Sequence, residues 1–371
     1  MIQFGTNPIA WANDDDRSIG ADIPTERILD EAGRQIGFDG IENGHRWPED
    51  PVELRETLEE YGLKFISGWY STELLTRSVE DEIAAFQPHL AKLKENGCKV
   101  CVTCETSNAI HSDADKPVND KASLTAAEML AFGEKIEAFA AYMADQGIHL
   151  AYHHHMGTIV ETPDEIDAFM AATGPATKLL FDAGHCFFGG GNPEEVLAKH
   201  IDRVVHFHAK DVRLDIAQRV RAERLSFIQG VLAGAFTVPG DQEGAVNFKP
   251  LLAQLAAVLS GCRPPDRRIA KGHAESIRPV PHQGFPISSL RHRLRRLGIS
   301  SVRSQPPGRR RPACRTRGLR FLRDRAGLGR ALWLSVRRSD PSRAPEPGGQ
   351  MASRRGRDLD QGQEALALAC G

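Results

Sequence analysis

What the chain lacks narrows the reading first. No run approaches the roughly 20 consecutive apolar residues that a bilayer crossing requires. No G-x-G-x-x-G follows a first strand, which puts an open, doubly wound dinucleotide-binding sheet well behind other α/β arrangements. Cysteine is scarce, seven in 371 residues, and no signal peptide precedes the strand-like Met1-Ile2-Gln3-Phe4-Gly5, so a reducing cytoplasm is expected. Cys98, Cys101 and Cys104 have the look of an iron-sulfur spacing, but the period of two in a strand sends Cys101 to the opposite face from its neighbours. Buried strand thiols are the expected account.

Lysine is the other absence, and it is local. Residues 1–260 hold 22 Lys+Arg, 11 of each, against 41 Asp+Glu; the remainder holds 25 basic residues against 8 acidic ones, and 24 of those 25 are Arg. Lys271 is the lone lysine there, and 11 of the 22 prolines fall in the same stretch. A basic arm for nucleic acid is one reading of such asymmetry. Only Phe285, Phe321 and Trp333 are available there as aromatics, few for base stacking, so no nucleic acid is expected. An Arg-rich, Pro-rich stretch that begins in mid-fold is also what a GC-rich gene yields when read out of frame. The helical pattern of 248–256 gives way at Ser260-Gly261-Cys262-Arg263-Pro264-Pro265, placing the expected frameshift close to Ala257.

Ahead of that break, strand-like runs at 2–5, 40–42, 65–70, 99–103, 148–152, 178–181 and 204–207 alternate with amphipathic stretches at 24–36, 51–61, 79–96, 126–146, 163–172 and 193–200. Thr162-Pro163-Asp164-Glu165 has the cap, the first-turn proline and the early acids of a helix start. Seven strands alternating with helices predict an α/β fold, a (β/α)8 TIM barrel that is incomplete, its strand eight missing or replaced, with a disordered basic C-terminal tail. The expected boundaries are 1–257 for the barrel and 258–371 for the tail. Residues 214–247, rich in glycine, read as a long loop that could cover the barrel mouth.

Three clusters stand at strand ends: His153-His154-His155, Asp182-Ala183-Gly184-His185 and His206-Phe207-His208-Ala209-Lys210-Asp211. His153 shares a face with His155, and His206 with His208, because side chains two apart on a strand point the same way. Taken singly, each cluster also fits carbonyl-bonded imidazoles, a turn aspartate or a surface ion pair. Together they place His, Asp and His at one end of consecutive βα units, a ligand set suited to Mn²⁺, Co²⁺, Fe²⁺ or Zn²⁺. With no cysteine in the set, a closed structural zinc site is disfavoured.

These clusters, with Gly5-Thr6-Asn7-Pro8-Ile9-Ala10-Trp11, Gly37-Phe38-Asp39-Gly40-Ile41-Glu42-Asn43-Gly44 and Val238-Pro239-Gly240-Asp241, resemble the inosose dehydratase family of xylose-isomerase-like barrels from residue 2 to about residue 256. The resemblance implies a hydro-lyase of inositol catabolism that removes water from a small cyclic polyol ketone, 2-keto-myo-inositol, giving a trihydroxycyclohexane dione with Mn²⁺ or Co²⁺. It implies metal ligands at His153, Asp182 and His208. His153 departs from the family's usual Glu, with His155 as substitute, and a final Glu on strand eight has no counterpart, so the chain as written could be inactive. Acid–base candidates are His185, Lys210 and Glu42. Asn7, Trp11, His155, His206 and Arg213 are candidates for substrate contact, as are Trp47 and Trp69. A ketose isomerase or epimerase on the same barrel is the nearest alternative, and a nucleic-acid-binding protein acting through the tail is a second. No membrane partner is expected, and a homo-oligomer is compatible with the sequence.

Overall fold

Helix starts along the chain carry their own caps, and the strands follow at short distances. Ile2–Gln3 (β1) and Gly5–Thr6 (β2) lead to Thr25–Leu29 (α1), which continues as a π-helical stretch over Asp30–Ile36 and ends at Gly37. Gly40–Ile41 (β3), Pro51–Glu60 (α2), Lys64–Phe65 (β4), Trp69–Thr72 (β5), Val79–Glu95 (α3) and Val100–Glu105 (β6) come next. Ala126–Asp145 (α4), His149–His153 (β7), Pro163–Ala172 (α5), Lys178–Asp182 (β8), Ala183–Phe188 (α6), Pro193–His200 (α7) and Val204–His208 (β9) complete the alternation. Thr125 with Glu128 and Thr162 with Glu165 form capping boxes, while Asp50, Ser78 and Asn192 each accept from the first-turn backbone of their helix. Each cap satisfies backbone donors that a helix start otherwise leaves orphaned.

The computed structural model describes residues 2–259, 335–337 and 365–369. The chain divides into two compact units, Met1–Phe248 with Asp324–Gly371 and, separately, Lys249–Arg323. Within the second lies most of the helix Phe248–Leu259 (α10).

In the first unit β5, β6, β7, β8 and β9 pair in that order and in parallel, and β2, β3 and β4 form a second parallel set. Since β1 with β2, and β4 with β5, are successive parts of single extended runs, the two sets follow one another along the same strands. Val100, Val102, Ala151, Leu180 and Val205 pack as one buried cluster, the expected result of parallel strands covered on both faces. Cys98, Cys101 and Cys104 are all buried, and burial pushes their thiols up, so they are inert packing residues.

The place beside β9 is filled. Ser335–Arg337 and Ala365–Ala369 form two further strands, β12 and β13 once Asp211–Val212 (β10) and Phe236–Thr237 (β11) are numbered. β13 runs parallel to β9 with Ala369 opposite His208, and the antiparallel β12 lies between it and β1. A segment of only Ala and Leu thus takes the position where the family resemblance looks for a Glu-bearing strand. The expected change of frame close to Ala257 falls within α10, and the tail expected to be disordered, 258–371, is instead helix at 258–259 and strand at 335–337 and 365–369, its remaining residues lying outside the described ones.

A further expectation is corrected. Residues 214–247 are not a long loop: they hold the helices Leu214–Ala222 (α8) and Phe227–Leu232 (α9), with β10 and β11 paired antiparallel across them. Ser226 and Gln229 form a capping box, and Ala217, Val220, Phe227 and Ile228 bury against Met156, Phe188 and Val212. Gly230 and Gly234, read as loop signals, obscured this period; tertiary burial outweighs the cost of a helical glycine.

Candidate metal centre and active site

Strand pairing does most of the assembly. In the β8–β9 register Asp182 stands opposite His208, and His153 ends the neighbouring β7, so three side chains leave the sheet at one rim. His153, Asp182 and His208 are all buried and offer ligand atoms within 4.8 Å of one another. His153 Nε2 lies 3.5 Å and His208 Nδ1 3.4 Å from Asp182 Oδ2, with Lys210 Nζ also at 3.4 Å. These separations exceed ordinary hydrogen-bond lengths, and Asp182 Oδ2 has no hydrogen-bond partner despite complete burial. A buried carboxylate oxygen so placed is costly unless a cation satisfies it. The donor set therefore fits a divalent ion held by His153, Asp182 and His208.

Electrostatics agree with that fit. Burial drives the His153 ring down to about 4 and His206 to about 4, so both present neutral nitrogens near pH 7. Burial also opposes charge on Asp182, yet Lys210, His185 and the imidazoles beside it hold its carboxyl well below the usual range. His208 moves the other way: burial pulls it down, but Glu42 and Asp182 on either side raise it overall. Its Nε2 faces Glu42 Oε1 at 3.5 Å while Nδ1 faces Asp182, so one ring spans two carboxylates.

Around this ring the other polar residues fall into two groups. Glu42 receives a 3.0 Å contact from His206 Nε2 and a 2.6 Å hydrogen bond from the Asn7 amide. Burial works against its charge, but His208 and His206 outweigh it and lower the carboxyl to about 2, so it stands ionised near neutral pH with no proton to give. On the other side His185 Nδ1 faces the Met156 N–H at 3.2 Å and its Nε2 faces Lys210 Nζ at 3.1 Å. An uncharged imidazole accepts at only one nitrogen, and burial keeps this ring well below its usual pKa. The ring is thus an uncharged neighbour of the Lys210 amine. Phe227 stacks on His185 at 5.8 Å, Phe236 lies 5.0 Å from it, and Lys210 sits over the Phe236 ring; α9 and β11 thus cover His185, while Lys210 reaches the cavity.

A cavity of about 490 Å³ opens on the group, lined among others by Asn7, Glu42, Trp69, His153, His155, His208 and Lys210. Its size suits a small ring substrate. The structure does not bring Trp11 or Trp47 to it: both are buried, the indole of Trp11 donating to Glu31 Oε2 and that of Trp47 to the Glu42 carbonyl. Arg213 is likewise elsewhere, tied to Asp241, Glu243 and the Gly234 carbonyl. His206 lies behind Glu42 and outside the lining; His155 lines the cavity, its Nδ1 2.8 Å from the Met156 carbonyl. Asp15 and His111 also line it and carry no distinctive signal in the sequence, Asp15 lying within an acidic run and His111 being a single loop histidine. Burial raises the Asp15 carboxyl and lowers the His111 ring.

Imidazoles and a carboxylate at one rim of a parallel sheet, open to a polar cavity of substrate size, are the makings of a metal-assisted barrel enzyme. The chain belongs to the xylose isomerase-like TIM barrel family, whose model matches residues 31–261. It is similar to the rhizopine catabolism protein MocC of Rhizobium meliloti, 43% identical over 300 residues, covering 78% of this chain and 91% of the relative. The inosose dehydratase of Geobacillus thermodenitrificans is 39% identical over 258 residues, covering 69% and 86%. Among solved structures, the probable 3-DHS dehydratase AsbF of Bacillus anthracis aligns with a TM-score of 0.48 at 15% identity, covering 68% of this chain and 88% of that one. No helix among the described residues is long and apolar enough to cross a membrane.

Proposed function

We propose that this chain is an inosose dehydratase, a hydro-lyase that takes water from 2-keto-myo-inositol in inositol breakdown and uses Mn²⁺ or Co²⁺. The observation that carries the reading is the buried Asp182 oxygen that takes no hydrogen bond and is ringed by His153, His208 and Lys210, beside the His185–Lys210 contact. The similarity to relatives named inosose dehydratase supports it. When bound, a divalent ion supplies Lewis-acid polarisation of the substrate's carbonyl. The chain's own groups then handle two protons. The Glu42 carboxylate, oriented by Asn7 and His206, accepts the proton from the carbon beside the carbonyl. Lys210, in contact with His185, gives a proton to the departing hydroxyl, so one water leaves and the ring gains a double bond. Phe227 and Phe236 cover the His185 ring beside that lysine.

The barrel enzyme is assigned to 1–257 and placed in the cytoplasm, where buried free thiols persist. The Arg/Pro-rich 258–371 is assigned no part in the chemistry. Incubating the full chain with 2-keto-inositol and Mn²⁺ or Co²⁺ tests the activity: a dione formed only with metal is expected. Epimerised ketoses without any dione would overturn the assignment in favour of an isomerase.

A further inference from the structure

The cavity has a second polar wall to which neither histidine group contributes. Asp15 Oδ1 and His111 Nε2 stand 3.6 Å apart there, and both residues line the cavity. Asp15 is placed with care. The Asn13 side-chain oxygen accepts from the N–H groups of Asp15 and Asp16 at 2.7 and 2.9 Å, and the Asn13 N–H donates to the Ile19 carbonyl at 3.1 Å. Gly20 closes the loop at φ 73°, where an added Cβ would overlap the Trp11 carbonyl oxygen, and Trp11 itself is pinned to buried Glu31. His111 is only 9% exposed, and its Nδ1 has no hydrogen-bond partner. The ring is held by His155 at 5.1 Å and Trp69 at 6.1 Å, and the Ile110 N–H donates to the Gly157 carbonyl at 2.9 Å.

A loop built this tightly fixes a carboxylate that only accepts beside an imidazole that both donates and accepts. Their 3.6 Å separation is longer than a direct hydrogen bond. We propose that Asp15 and His111 are positioning residues that grip two adjacent hydroxyls of an uncharged ring polyol and so select such rings over anionic ones. At this wall Asp14 and Asp15 stand against Arg17, so a ring carboxylate seated there meets like charge. The inference rests on the dehydratase reading in using the same cavity, but it concerns binding and not the elimination.

Calorimetry on the full chain separates the two, with myo-inositol as the neutral probe and shikimate, a hydroxylated ring carboxylate, as the anionic one. Wild type is expected to bind myo-inositol and to bind shikimate at least tenfold more weakly. Asp15→Asn and His111→Gln should each weaken myo-inositol at least tenfold at an unchanged melting temperature, and Asp15→Asn should narrow the gap to shikimate. With 2-keto-inositol the same variants should raise KM while kcat holds within a few-fold. Failure of wild type to bind myo-inositol, unaltered affinity in both variants, or equal binding of the two probes would overturn the proposal. Binding that behaves as stated with no dione formed would leave the diol grip standing and remove the dehydratase.

Discussion

The two walls of the cavity are built by different means. His153, Asp182 and His208 stand where they do because adjacent parallel strands end together, so their spacing follows from sheet geometry. Asp15 and His111 ride on loops whose shape is set by an asparagine-capped turn, a left-handed glycine and a pinned indole. A strand-borne wall has its backbone held by the ladder of the sheet. A loop-borne wall has its stability in a few contacts and should fail piecemeal.

Substitutions can break or sharpen this contrast. The largest effect is expected at the strand wall: Asp182→Ala should cut metal-dependent turnover by about a thousandfold or more and abolish Mn²⁺ binding by calorimetry, with circular dichroism still showing a folded protein. Full activity would remove Asp182 from the ligand set. Next comes Lys210→Ala, which removes the proton donor beside His185 and should lower kcat by about 10²–10⁴ with metal affinity within a few-fold of wild type. Glu42→Gln tests the ionised base by pH. Its carboxyl is depressed from 4.5 to about 2, so it contributes stability that is present above pH 4.5 and lost as pH falls through about 2. In chelator, the variant's acid unfolding curve should therefore be shallower over that window than wild type; superimposable curves would refute the assignment. The smallest effect belongs to the loop wall. Trp11→Phe leaves the Glu31 oxygen without its indole donor and should cost about 1–3 kcal/mol in chemical denaturation, with a raised KM and intact metal binding.

The same contrast explains what could be read from the sequence. Strands β5 to β9 announced themselves as apolar runs, and the clusters at their ends were visible because sheet geometry turns proximity in the fold into repetition along the chain. The pairing of Glu42 with His206 and His208 could not be read, since it joins residues more than 160 apart in sequence through side chains alone. Asp15 lies in an acidic run, Asp14-Asp15-Asp16, which looks like any solvated turn until the Asn13 cap folds it inward. Trp11 suggested a sugar-stacking ring and proves to be the anchor of that turn. The helix α9 was hidden by Gly230, whose cost is offset by Phe227 and Ile228 going into the core.

Gly184 shows how little slack the strand wall has. A Cβ there would lie 2.5 Å from the Lys210 Cβ and 3.0 Å from its carbonyl oxygen, so the first turn of α6 and the segment after β9 touch where only a hydrogen fits. The distance between the lysine amine and its imidazole neighbour is in this sense gauged by an atom the chain leaves out. Even an alanine at this position would have to push the two segments apart, disturbing proton transfer without altering a single group that handles a proton.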